Sequence, residues 1–217
     1  MAACSDCASE NAAPGDRDNP VFRRILWFAL VSNAVMFLVE ILASLVSGSV
    51  SLQADALDFF SDAVNYGISI LVVGMALQVR AKAALFKSAT MAAFGLWVIG
   101  SAVYRSVTGS VPDAAVMGLI GMLALLVNIV VAVLLFRYRG GDSNMHSIWL
   151  CSRNDALGNI AVMFAAAGVF ATATGWPDIL VAALIAGLNL SAAVRVMRQA
   201  LAELREAAPI TERNYGH

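Results

Sequence analysis

Charge is scarce in this chain: 13% of its 217 residues are Asp, Glu, Lys or Arg, and the net charge is -1. No basic cluster stands out beyond the short charged stretches between apolar runs, which sets nucleic acid aside as a partner. Cysteine is nearly absent and odd in number, with Cys4, Cys7 and Cys151. Cys151 lies inside an apolar stretch, so a disulfide framework is not expected. Residues 1–20 are polar and acidic and contain no apolar core of a signal peptide, so no cleaved leader is expected. No Gly-x-x-x-x-Gly-Lys-Ser/Thr loop occurs, which argues against ATP as the energy source.

What the chain has instead is apolar length. Hydrophobic residues make up 60% of it and mean hydropathy is +0.77, values that belong to an integral membrane protein. Six apolar segments are expected at about 24–46, 51–79, 88–110, 113–137, 145–174 and 177–200. Each exceeds the ~20 residues a helix needs to cross the hydrocarbon core. The expectation is therefore all-α and polytopic, with a flexible N-terminal tail over 1–23, a membrane domain over 24–204 and a short charged tail over 205–217. Basic residues fall on one side: Arg17, Arg23 and Arg24, then Arg80, Lys82 and Lys87 in a loop, then Arg137 and Arg139, then Arg195, Arg198, Arg205 and Arg213. With an even number of spans, this bias places both termini in the cytoplasm. Trp27, Trp149 and Trp176 lie near segment ends, where an interfacial belt would put them, whereas Trp97 lies mid-segment and is expected to pack.

The charges that remain inside the spans carry the functional signal. Asp55, Asp58 and Asp62 follow one another at intervals of three and four, one face of a helix. Segment five repeats the spacing with Cys151 and Asp155, and Asn159 continues that face. A charged side chain at a span centre costs about 2.5–3.5 kcal/mol. Glu40, the aspartates and a single Arg153 cannot neutralise one another, so protons or a bound cation must complete the balance. Two helices that each offer two ligands one turn apart can enclose a four-coordinate ion. Three carboxylates and one thiolate favour Zn²⁺, with Cd²⁺ or Co²⁺ also suited, over Mg²⁺ or Ca²⁺. Each residue also has a plainer reading: an intramembrane Asp can be a protonated interhelical linker, and Cys151 a small buried hydrophobe.

The run from Asn33 to Glu40, then Ser47-Gly48-Ser49 and Ala54-Asp55-Ala56, together with Asn128 and the Asp62 and Asp155 pair, resembles the cation diffusion facilitator family. The resemblance covers residues 24 to about 204. It implies a six-helix secondary transporter, not an enzyme, that exports a divalent metal ion against protons from a bacterial inner membrane, usually as a homodimer in the lipid bilayer. It implies no cofactor beyond the transported ion. It assigns the metal to Asp58, Asp62, Cys151 and Asp155. Cys151 stands where the family keeps a histidine, which tilts metal choice towards softer ions. The cytoplasmic domain that follows the sixth helix in most members is not expected within 205–217.

Several residues are accessory. Asp55 is either an exit-path carboxylate or a residue near a helix N-terminus favoured by the dipole. Glu40 is expected to hydrogen-bond a neighbouring helix or to relay protons. Arg153 is expected to pair with Glu40 or another acid. Asn154 and Asn159 are candidates to orient the carboxylates. Cys4 and Cys7 form half of a soft-metal site, and His146 stands at the mouth of segment five. Two other classes stay open: an intramembrane hydrolase using Asp62 and Asp155 as acid and base, and a metal sensor or assembly protein that binds without transport.

Overall fold

The computed structural model describes residues 20–71, 77–137 and 143–206, and every regular element in them is an α-helix. They are α1 (Pro20–Ser47), α2 (Val50–Leu71), α3 (Leu77–Thr108), α4 (Ala114–Phe136), α5 (Ser143–Thr172) and α6 (Trp176–Glu206). Five of them contain stretches long and apolar enough to cross a membrane. The helix left out is α2, which carries Asp55, Asp58 and Asp62 in 22 residues. At 1.5 Å per residue it is still about 33 Å long, enough to traverse the hydrocarbon core.

The packing follows from where bulk and charge fall. Helices α1, α2, α5 and α4 form a four-helix ring, each touching the next, while α3 and α6 pair closely and lean on α2. The outward surface is apolar: Phe170 is 84% exposed and Val46 82%, which is stable only against lipid. Small residues set the close approaches. A Cβ on Gly121 of α4 would stand 3.3 Å from Met163 of α5, and one on Gly95 of α3 would stand 4.0 Å from the Ala186 carbonyl of α6. Val50, Leu52, Val98, Met117, Val162 and Ile185 belong to the largest buried cluster. Phe37, Phe60 and Phe94 join α1, α2 and α3 through ring contacts of 5.4 to 6.5 Å.

The α1–α2 turn is tight. Gly48 takes φ +73° and closes α1 with a 2.9 Å bond from its N–H to the Ser44 carbonyl. Two residues later α2 begins, with its first amides directed at a buried acid from the far end of the chain. Asp178 accepts from Val50 N–H at 2.7 Å, Ser51 N–H at 3.0 Å and Ser49 Oγ at 2.7 Å. An acid of α6 thus caps the positive end of α2. Asp178→Ala should leave these buried donors unmet and destabilise the fold by about 3 kcal/mol, with Asp178→Asn recovering part of the loss. Chemical unfolding followed by tryptophan fluorescence in lipid nanodiscs measures it.

Two expectations change. Lys82 and Lys87 do not lie in a loop; both are on α3, which starts at Leu77. The stretch Leu77–Lys87 holds no Gly or Pro and is rich in Ala, Leu, Gln and Lys, so it propagates a helix although it is too polar to look like a span. Trp97 does not pack: it is 66% exposed, about a third of a turn around α3 from the buried Val98 and Met91. Tryptophan tolerates a lipid-facing position as readily as a buried one, and apolar content alone could not separate the two.

Candidate metal centre

The acidic face of α2 turns inward, against α5 and α1. Asp62 is 3% exposed and faces Asp155 across the α2–α5 seam. The Tyr66 hydroxyl, one turn further along α2, donates to Asp62 Oδ2 at 3.2 Å. Asp58 and Asp155 are half-buried, and Asp58 adds its charge to the field at Asp155. Beside Asp58 lies Asn189 of α6, although its amide nitrogen has no aligned hydrogen-bond partner. One Asp155 oxygen, Oδ2, likewise has no hydrogen-bond partner. Carboxylates from two helices therefore converge in the middle of the four-helix ring, with oxygen lone pairs to spare.

Among the described residues no group of three or more His, Cys, Asp and Glu side chains forms a ready-made metal cage. Cys151 is on α5, one turn before Asp155, but its side chain lies outside the described residues. His146 is also outside them as a side chain, and Cys4 and Cys7 lie outside them altogether. A four-residue interval on an unbroken helix places Cys151 on the Asp155 face by backbone geometry.

The accessory acids Glu40 and Asp55 lie next to this group, and the charge of Asp55 acts on both Asp58 and Asp155. Glu40 and Asp55 are both 0% exposed and face each other across the α1–α2 seam. Asp178 caps α2, and Asp55 stands in the second turn of that helix. The group that Glu40 meets on the neighbouring helix is Asp55, close enough for one carboxyl to donate to the other, while among the described residues no amide, hydroxyl or basic group donates to its carboxylate oxygens. Arg153, its expected partner, has its side chain outside the described residues. Asn159 is fully buried, and neither its oxygen nor its nitrogen has a hydrogen-bond partner, so it does not orient a carboxylate in this arrangement. Asn154 has an interaction of its own.

Sequence reasoning missed a cation next to this site. Lys87 of α3 is 4% exposed, donates to Asn65 Oδ1 of α2, and acts electrostatically on Asp62. Its i, i+3 position relative to Asp62 is held by Asn65, not by Lys87 itself, so no spacing rule within one helix could reveal it. Tyr66 was within reach of such a rule, four residues after Asp62. Lys87→Met should leave Asn65 unmet and cost about 1–3 kcal/mol of stability, read as a shift of the unfolding midpoint in nanodiscs, with Lys87→Gln closer to the native value.

A family model described as the cation efflux transmembrane domain matches residues 26–205. The zinc transporter ZitB of Escherichia coli (strain K12) is 26% identical over 206 residues, 87% of this chain and 64% of that protein. The magnetosome protein MamB of Paramagnetospirillum magneticum is 25% identical over 210 residues, 88% of this chain and 63% of that protein. The chain thus spans a little under two thirds of the length of these relatives. Six membrane-type helices, opposed aspartates on α2 and α5, and a family match running from α1 to the end of α6 agree with one another, and the chain belongs to the cation efflux family.

Proposed function

We propose that the protein exports a divalent transition-metal ion, Zn²⁺ or alternatively Cd²⁺ or Co²⁺, in exchange for protons, and that the ion binds Asp58, Asp62, Cys151 and Asp155 between α2 and α5. The observation that carries this reading is the Asp62–Asp155 juxtaposition: two carboxylates from different helices meet inside a membrane domain, where such groups mark ion pathways. Family membership and the likeness to a zinc transporter support the cargo. The proposed orientation puts both termini in the cytoplasm, as the Lys and Arg bias favours, with residues 1–23 and 205–217 as tails flanking a membrane domain over 24–204. It places the protein in a bacterial inner membrane, as a homodimer.

Each residue then has a task. Asp58 and Asp155, half-buried, hold the ion on the side of the α1–α2 turn. Asp62 and Cys151 complete the shell, and the ion releases protons as it binds because thiolate and carboxylates ligate in their charged forms. Tyr66 holds one oxygen of Asp62, which fixes the direction of the remaining lone pairs. Ser51, Leu52 and Asp55, all 0% exposed, pack the end towards the α1–α2 turn, which must open for release. After release to the outside, protons neutralise the acids for the return. Cys4, Cys7 and His146 would act as capture points on the cytoplasmic side.

The test is Zn²⁺ flux in proteoliposomes with an imposed pH gradient. Uptake should follow the gradient and stop when a protonophore together with a potassium ionophore collapses it. Stoichiometric Zn²⁺ binding without flux would assign the protein to sensing or assembly, and flux indifferent to the gradient would reject proton exchange.

A further inference from the structure

Arg105 takes no part in metal binding, and it is the only basic residue between Lys87 and Arg137. It stands in the last turn of α3, at the end of the bundle that carries the α1–α2 turn. A cavity of about 200 Å³ opens beside it, between the α3–α4 and α5–α6 connections. Arg105, Ser110 and Thr174 line it with polar groups, Val111 and Ile179 supply an apolar wall, and Trp176, 57% exposed, completes that wall. Among the described residues no Asp or Glu lines it. The two connections that frame the cavity meet backbone to backbone: a Cβ on Gly175 would stand 2.6 Å from the Ser110 carbonyl oxygen. The frame is therefore a packed structure and not a gap between loose loops.

The guanidinium is held in place by the protein itself. Its Nη1 donates to Ser110 Oγ at 3.2 Å. Its plane lies against the α1–α2 turn, where a Cβ on Gly48 would stand 2.6 Å from Nη1 and 3.0 Å from Nη2. An arginine in a last helical turn is favoured by the helix dipole, which accounts for the charge at this position. It does not account for the reach of the side chain, which leaves its own helix end for Gly48 and Ser110. A long basic side chain at a membrane boundary ordinarily turns its head out to water. Here one donor meets a hydroxyl, and among the described residues no carboxylate takes the others. Such a planar fork of charged donors matches the paired oxygens of a phosphate.

We infer that this cavity binds the phosphate of a phospholipid, with Arg105 and Ser110 holding phosphate oxygens and Val111, Ile179 and Trp176 flanking the glycerol and the start of an acyl chain. The apolar wall favours a lipid over inorganic phosphate, which is polar all round and would lose hydration against that wall without gaining a partner. With no Asp or Glu in the lining to receive an ammonium group, an anionic headgroup such as phosphatidylglycerol suits it better than a zwitterionic one. Tryptophan at the rim belongs at headgroup level, and basic pockets between membrane helices are a known way of holding lipid phosphates. The inference does not depend on which ion is transported or on proton exchange. A lipid seated there would lie on the guanidinium that rests against Gly48, beside the turn proposed to open for release.

The test titrates phosphatidylglycerol into the full chain in detergent micelles and reads the Kd of the first bound lipid by native mass spectrometry. Digalactosyldiacylglycerol, a lipid without phosphate, is titrated in parallel. Arg105→Gln should weaken phosphatidylglycerol binding by about 10-fold, the size of a lost charged hydrogen bond, and leave galactolipid binding unchanged. Native affinity for phosphatidylglycerol in Arg105→Gln rejects the site, and an equal loss for both lipids shows a damaged surface and rejects it too. If Arg105→Gln does not fold, Arg105→Lys takes its place, because it keeps the charge and loses the planar fork: a several-fold loss supports the site and native affinity overturns it. Inorganic phosphate is the second arm. Its phosphorus NMR line, recorded with the chain in digalactosyldiacylglycerol nanodiscs, should be the same for the native chain and Arg105→Gln. Broadening seen with the native chain and lost in Arg105→Gln would make the ligand free phosphate and overturn the lipid assignment.

Discussion

Asp62→Ala and Asp155→Ala should each reduce Zn²⁺ flux by roughly 100-fold or more, since even residues that only orient a metal's ligands contribute 10–100-fold to affinity or activity. Each variant removes one half of the facing pair at the α2–α5 seam. The remaining acid would be left beside Asp58 with too few donors to enclose an ion. Loss of flux must be separated from loss of fold. Asp155→Ala removes one of two crowded acids and should hold or raise the unfolding midpoint, whereas Asp62→Ala leaves the Tyr66 hydroxyl and the buried Lys87 without their acid and should lower it modestly, so flux is compared on the folded fraction. Asp113→Ala provides the contrast. Asp113 is exposed, caps α4 through Ala115 and Val116 at 2.9 and 3.1 Å, and stands outside the ring. Its loss should cost about 1 kcal/mol of stability and leave flux within twofold of the native rate. Proteoliposome flux and nanodisc unfolding, measured on the same preparations, decide the matter. Native flux in both aspartate variants would reject the proposed site.

The second large effect concerns selectivity. Cys151→His should keep Zn²⁺ transport and lower the Cd²⁺ to Zn²⁺ rate ratio by about 10-fold, because exchanging a soft thiolate for a borderline imidazole disfavours the softer ion. The exchange keeps the four-residue interval to Asp155 on α5, so ligand spacing is retained while ligand softness changes. Competition flux with both ions present measures the ratio directly. An unaltered ratio would show that Cys151 does not touch the ion, and the metal position would then be built from carboxylates alone. Cys151→Ser separates charge from softness. It removes the thiolate without adding a strong ligand, and it should slow transport of both ions.

Much of the architecture was legible because lipid is an undemanding solvent to read. A span must be apolar over some twenty residues, so the six segments announced themselves by composition, and Glu40, Asp55, Asp58, Asp62 and Asp155 stood out against that background. The spacing of Asp58 with Asp62, and of Cys151 with Asp155, is a local property of a helix and needs no tertiary information. The N-terminal extension of α3 was not legible. Leu77–Lys87 is amphiphilic and charged, and helix propensity there outweighs what hydropathy can report.

What the amino-acid order determined by itself is a six-helix membrane protein with acids at helical intervals on α2 and α5, since period and polarity are fixed within each segment. Only the tertiary structure decided which acids meet. Contacts between helices depend on rotation and crossing, set by small residues such as Gly121 and Gly95 that no single-helix rule can rank. That packing puts Asp62 opposite Asp155, sets Lys87 against Asn65, and gives Asp178 to the start of α2. It also sets Asp55 against Glu40 of α1, a contact between helices that no spacing within one segment reveals.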